Sequence, residues 1–204
     1  MKKAILATVA IAVATASLSA NAGFMFRSEL PGVKASVDSE APDSEPVKQN
    51  PDAWSEFAIA NEVPDPKDSN YHSLTWDRTN LSKLPNELYP VATVNRMLIS
   101  GNSFTSIASL SSIIKAYELD LSYNNITSLS GLNNLDSVSE LYLYRNPALT
   151  DISALSNLKS ADYVDLDSDI ASRSGFVPIS SEAWLCQSKN SGVIQGPSQA
   201  DICY

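Results

Sequence analysis

Five pairs of apolar residues, each pair separated by one position, recur down the middle of the chain: Leu74/Trp76, Met97/Ile99, Leu119/Leu121, Leu141/Leu143 and Val164/Leu166. The steps between successive pairs are 23, 22, 22 and 23 residues. A period of that length belongs to a stacked repeat and not to a helix or a hairpin, so it decides the fold before composition is consulted. Three residues before each pair stand Tyr71, Val94, Ala116, Val138 and Ala161, all at least partly apolar. Three residues after each pair stand Thr79, Asn102, Asn124, Asn146 and Asp169. Further apolar positions repeat as Ile107, Leu110 and Ile113, then Leu129, Leu132 and Leu135, then Ile152, Leu155 and Leu158. One residue is inserted in the Asn146-Pro147-Ala148-Leu149 turn, where a loop absorbs it.

Alternation sends Leu119 and Leu121 to one side of a short strand and residues 118, 120 and 122 to the other. One coil cannot bury its apolar side alone, so coils stack. About five of them, with strands about 4.8 Å apart, make a parallel sheet about 20 Å across. The asparagines at 102, 124 and 146 both donate and accept, which suits them to pair buried backbone where each coil leaves its strand.

This pattern resembles the leucine-rich repeat family, whose template is L-x-x-L-x-L-x-x-N-x-L, and its step and Ile/Leu spacing are most similar to the bacterial internalin type. The resemblance covers residues 71 to about 170, with Thr79 and Asp169 departing from the asparagine position as terminal repeats do. It implies a right-handed solenoid, a concave parallel sheet, a convex side of turns or short 3-10 segments, and recognition through the concave face.

The regions outside the repeats read as caps and leaders. Residues 1–22 carry Lys2 and Lys3, an apolar run from Ala4 to Ala16 and small residues ending at Ala20-Asn21-Ala22. That is the pattern of a secretory signal peptide cut after about Ala22, with a core too short for a membrane span. Residues 23–50 are rich in Pro, Ser, Asp and Glu and read as a disordered spacer. Residues 51–70 open at Asn50-Pro51, an N-cap pattern, and place Trp54, Phe57 and Ala58 on one side of a short capping helix. Residues 171–204 form the other cap, where Cys186 and Cys203 are expected to form a disulfide in an exported chain.

The alternation yields a candidate binding face: Ser73, Thr75 and Asp77; Arg96, Leu98 and Ser100; Glu118, Asp120 and Ser122; Glu140, Tyr142 and Tyr144; Tyr163, Asp165 and Asp167. The core of that set is Arg96, Leu98, Glu118, Asp120, Ser122, Glu140, Tyr142, Tyr144, Tyr163, Asp165 and Asp167, with the three tyrosines grouped between acids. Tyrosine supplies contact area with a polar tip at low entropic cost. About fifteen residues is modest beside the roughly 20 to 30 per side of a standard interface, which fits a peptide, glycan or protein loop. The formal net charge of −9 becomes more negative once the two leader lysines are gone, which excludes phosphate-backbone binding to nucleic acid. Asp165 to Ile170 begins like a calcium loop, but Ile170 stands where glycine is needed and Phe176 where glutamate is, so no metal or cofactor is expected. The single histidine, His72, has no nucleophile at a meaningful spacing, and Asp120 with Glu140 would sit on an open sheet. The expectation is a non-enzymatic, exported or periplasmic, monomeric recognition protein. A structural envelope protein without a ligand is the alternative, and a glycan-active enzyme the remote one.

Overall fold

A computed structural model describes residues 52–190 and 192–204; the expected signal peptide, the spacer and the Asn50-Pro51 helix start lie outside the described residues. The repeat emerges as six strands in one all-parallel sheet, ordered as in the sequence. They are β1 (Ser73–Thr75), β2 (Thr93–Leu98), β3 (Lys115–Asp120), β4 (Ser137–Tyr142), β5 (Ser160–Asp165) and β6 (Ile194–Gln195). The register sets Leu74, Met97, Leu119, Leu141, Val164 and Ile194 side by side. These six positions, five from the repeat and one from the C-terminal cap, are therefore one buried row. The convex side carries short 3-10 turns at Ala108–Leu110, Ser130–Leu132 and Ser153–Asn157. The chain is thus a leucine-rich repeat type of solenoid in its architecture.

Two features differ from the alternation. Strands β3 to β5 start earlier and end sooner than the paired leucines imply, and Ala116, Val138 and Ala161 are buried three residues before Leu119, Leu141 and Val164. An odd spacing on one face means the strand does not alternate strictly along its length. A sixth strand lies outside the repeat: it arrives from the C-terminal cap after 28 intervening residues, with no apolar pair to mark it.

The core is a column of coil interiors. Ile107, Leu110 and Ile113, Leu129, Leu132 and Leu135, and Ile152, Leu155 and Leu158 are all at or below 2% exposure. The convex turns need a small residue two positions after the first of each trio, filled by Ser109, Gly131 and Ala154, all buried. At Gly131 the requirement is absolute, since an added Cβ would run into the Ile107 carbonyl of the coil before.

The asparagines tie successive coils together. Asn124 Nδ2 donates to Ile99 O of the preceding coil (3.0 Å) and to Leu121 O and Ser122 O of its own (both 3.1 Å). Its Oδ1 accepts from the Phe104 N–H at 3.1 Å. Asn102 and Asn146 repeat the arrangement, accepting from the Leu81 and Ile126 N–H groups and donating to Trp76 O and Leu121 O. The residue before each asparagine is left-handed: Gly101, Tyr123 and Arg145 have φ of 66°, 52° and 59°. Arg78, before Thr79, has φ 53°. That conformation costs about 1 kcal/mol or more in a residue with a side chain. The amide bonds that follow it offset the cost.

The ends are closed by different means. Helix α1 (Ala53–Ala60) has Asp52 at its N-cap and lays Trp54 against Trp76 and, edge-on, against Tyr89, with ring centroids 5.6 and 4.8 Å apart. The Trp54 indole N–H donates to Glu87 O and that of Trp76 to Pro64 O, so neither buried ring leaves a donor unpaired. At the other end Cys186 is disulfide-bonded to Cys203, beyond the short helix α2 (Gln199–Ile202). A cross-link spanning 17 positions stabilises by about 3 kcal/mol in the chain-entropy account.

Replacing Asn124 by alanine leaves the Phe104 N–H buried without a partner and removes the link to Ile99. We expect a loss of about 1 to 3 kcal/mol, read from urea unfolding of the variant against wild type.

Candidate concave binding face

Register builds the face row by row. Ser73, Arg96, Glu118, Glu140 and Tyr163 form one row, and Thr75, Leu98, Asp120, Tyr142, Asp165 and Gln195 the next. Strands β1 to β5 contribute one residue to each row and β6 one to the second, at intervals of about 4.8 Å, so the side chains meet their neighbours sideways.

The carboxylates divide into those held by the fold and those held loosely. Asp77 Oδ1 accepts from the Ser100 N–H and hydroxyl, both at 3.0 Å. Asp167 Oδ1 accepts from the Arg145 N–H (2.8 Å) and its Oδ2 from Arg173 Nη2 (2.8 Å). Glu118 pairs with Arg96 at 2.6 Å. By contrast, Glu140 accepts only the Tyr142 hydroxyl, at 2.9 Å, among the bonds to its side chain, and Asp165 only the Tyr163 hydroxyl, at 3.4 Å. An ionised carboxylate has about four acceptor sites, so these two keep capacity for an incoming donor.

Those contacts shift ionisation. The Tyr142 hydroxyl is pushed up to about 12, chiefly by its hydrogen bond to Glu140, then by burial and by the charges of Glu140 and Glu118. Burial also raises Asp165 above its ordinary range, with Asp167 adding to the rise and the Tyr163 hydroxyl opposing it.

The three tyrosines differ in their ring partners. Tyr142 and Tyr163 lie with ring centroids 5.4 Å apart, while Tyr144 pairs edge-on with Tyr123 at 5.3 Å. Ser122 leaves the accessible set altogether: it is 1% exposed, and its hydroxyl and N–H both donate to Asp120 Oδ1, at 2.6 and 3.0 Å. The strand has already ended at Asp120, and Ser122 belongs to the turn whose carbonyl Asn124 claims.

Sequence alternation missed three residues at the rim. Tyr123, Arg145 and Arg173 line an open cleft of about 550 Å³ with Pro147, Asp167 and Asp169. The Arg145 guanidinium lies over the Tyr123 ring, 5.9 Å from its centroid. The signal for the first two was present, because both precede a ladder asparagine and so take the left-handed turn that projects a side chain outward. Arg173 gave none. It donates to Asn146 O (2.8 Å) and Leu149 O (2.9 Å) and also binds Asp169 (2.8 Å), so Asp167 and Asp169 of the calcium-like stretch both face a guanidinium. His72 lies beside β1, its Nδ1 3.0 Å from Thr93 O.

Residues 118–157 match the family model for leucine rich repeats, in two copies. No curated protein matches the chain. No helix among the described residues is long and apolar enough to cross a membrane.

Tyrosinate absorbance titration tests the Tyr142–Glu140 contact. One tyrosine, absent from Tyr142→Phe, ionises near pH 12 in the wild type and returns towards 10 in Glu140→Ala. The raised folded-state value means the contact supports the fold below about pH 10, and that support is lost as pH rises through 12.

Proposed function

The chain is a leucine-rich repeat protein, and from that premise we propose that it is exported and recognises a protein or peptide partner through the concave residues of β3 to β5. A repeat of this family points to a protein-interaction role, and the observation that carries the finer reading is the Tyr142–Tyr163 pair. Two half-exposed aromatic rings lie side by side on a rigid sheet with loosely held carboxylates around them. A sheet fixed by coil-to-coil bonds presents them without further ordering, which lowers the entropic cost of binding. Leu98, Arg96 and Glu118 extend the surface towards β2.

The sequence of residues 1–22 supports export, and the Cys186–Cys203 disulfide suits an oxidising compartment. A glycan-active enzyme needs two carboxylates set across a scissile bond in a desolvated site. Asp120 accepts from Ser122 and Glu140 from Tyr142 on an open sheet, which gives that reading no support.

Affinity capture with wild type and Tyr142→Glu tests recognition. A specific partner retained by the wild type and reduced about ten-fold or more in the variant is the expected outcome, because a central aromatic anchor carries a large share of binding energy. Capture of nothing by either protein removes the reading and leaves a structural role. For export, the mature protein recovered from the cell envelope or medium starts at Gly23; recovery with Met1 to Ala22 still attached refutes it.

A further inference from the structure

The charge pattern of the face defines the chemistry of the partner. In one row Glu118 and Glu140 stand directly opposite on neighbouring strands, an arrangement of like charges that destabilises a sheet. In the next row Asp120 and Asp165 flank Tyr142. The Tyr142 and Tyr163 rings are therefore bordered by Glu140, Asp120 and Asp165. No concave position of these two rows in β3, β4 or β5 carries a basic residue. Arg96, on β2, reaches Glu118 only from the outer side and is itself half exposed.

The chain also displays, with its own arginines, how this surface accepts a guanidinium. Arg96 Nε meets Glu118 Oε2 at 2.6 Å, and Arg145 lies over Tyr123. The central part of the face offers both contacts together, aromatic surface and carboxylate, and supplies no cation of its own. A guanidinium or ammonium gains from each, about 0.5 to 2 kcal/mol over an aromatic ring and more where a carboxylate accepts its hydrogen bonds. Asp120 and Asp165 are two strands apart, about 10 Å, enough to hold more than one basic side chain of an extended segment. The net charge of −9 adds long-range attraction for the same kind of partner.

We propose that the β3–β5 part of the concave face docks an extended protein segment rich in arginine or lysine, with a basic side chain over the Tyr142 and Tyr163 rings and its charge among Glu140, Asp120 and Asp165. This rests on the reading of the concave face as the binding surface and names the class of partner. Selectivity comes from repulsion as well as attraction: an acidic segment meets uncompensated carboxylates.

The test titrates the full chain against fluorescein-labelled oligo-arginine, oligo-lysine, oligo-glutamate and a glycine-serine peptide of equal length, followed by anisotropy. The basic peptides bind and weaken as ionic strength rises, and the other two do not bind. A Glu140→Gln/Asp165→Asn variant binds oligo-arginine about ten-fold more weakly or worse, and Tyr142→Leu weakens it about three-fold or more. Glu56→Gln/Glu182→Gln removes the same charge from exposed positions away from the face and leaves binding unchanged. Circular-dichroism melting of each variant establishes that it is folded. Equal weakening in the two double variants means attraction to net charge alone and overturns the proposal, as does absence of oligo-arginine binding. A captured partner that requires Tyr142 but is not displaced by oligo-arginine overturns the basic-segment proposal while the concave-face reading stands.

Discussion

The structure depends on one repeated interaction, the side-chain amide of an asparagine bonded to the backbone of two coils at once. Asn124 accepts from Phe104 N–H and donates to Ile99 O on the preceding coil while donating to Leu121 O on its own. A carboxylate cannot make the donations and a hydroxyl cannot make them all, so asparagine is the side chain of suitable length that serves. The bonds set the offset between coils, and with it the strand register that brings Leu119 beside Met97 and Leu141. Apolar residues supply most of the burial free energy, but that force is non-directional. Directionality comes from the amides.

Such a ladder must end, and the two ends show what each lacks. At the N-terminal end Thr79 stands in the ladder position, its hydroxyl donating to Trp76 O or towards Asn102 Oδ1, and the open core is sealed by Trp54 stacked on Trp76. At the C-terminal end Asp169 has no N–H to give. Arg173 supplies donors to Asn146 O and Leu149 O, while Asp167 and Asp169 balance its charge at a site where the side chain is only 12% exposed. The cap then returns β6 to the edge of β5, pairing backbone groups that an open sheet would expose, and the disulfide fastens the segment behind it.

The sequence was legible wherever one residue type answered one physical demand. The buried leucines, the asparagine positions, the tryptophan cap and the cysteine pair are of that kind, since each is dictated by period, donor capacity or compartment. What stayed hidden depends on neighbours from another coil. Ser122 follows the alternation of an outward residue, yet it lies past the end of β3, where Asp120 and Asn124 turn it inward. Arg173 reads as a surface charge until the orphan carbonyls of the preceding coil are in place. Ile194 and Gln195 form a strand only because β5 offers a free edge. The split of the tyrosines has the same origin: Tyr144 belongs with Tyr123, a residue in the turn and not on a strand.

The central face is where the demands of folding and the composition part company. Asp77 and Asp167 are explained by the backbone N–H groups they accept, so their charges belong to the scaffold. Glu140 and Asp165 are not: each holds a tyrosine hydroxyl that a water molecule could satisfy as well, and Glu140 faces Glu118 across the strands. Threonine or glutamine there would remove the repulsion without disturbing a buried contact. Like charges left facing each other across strands are expected where a surface is shaped for something other than its own fold. On this solenoid they surround the Tyr142–Tyr163 pair, and a cation is the group that turns their repulsion into attraction.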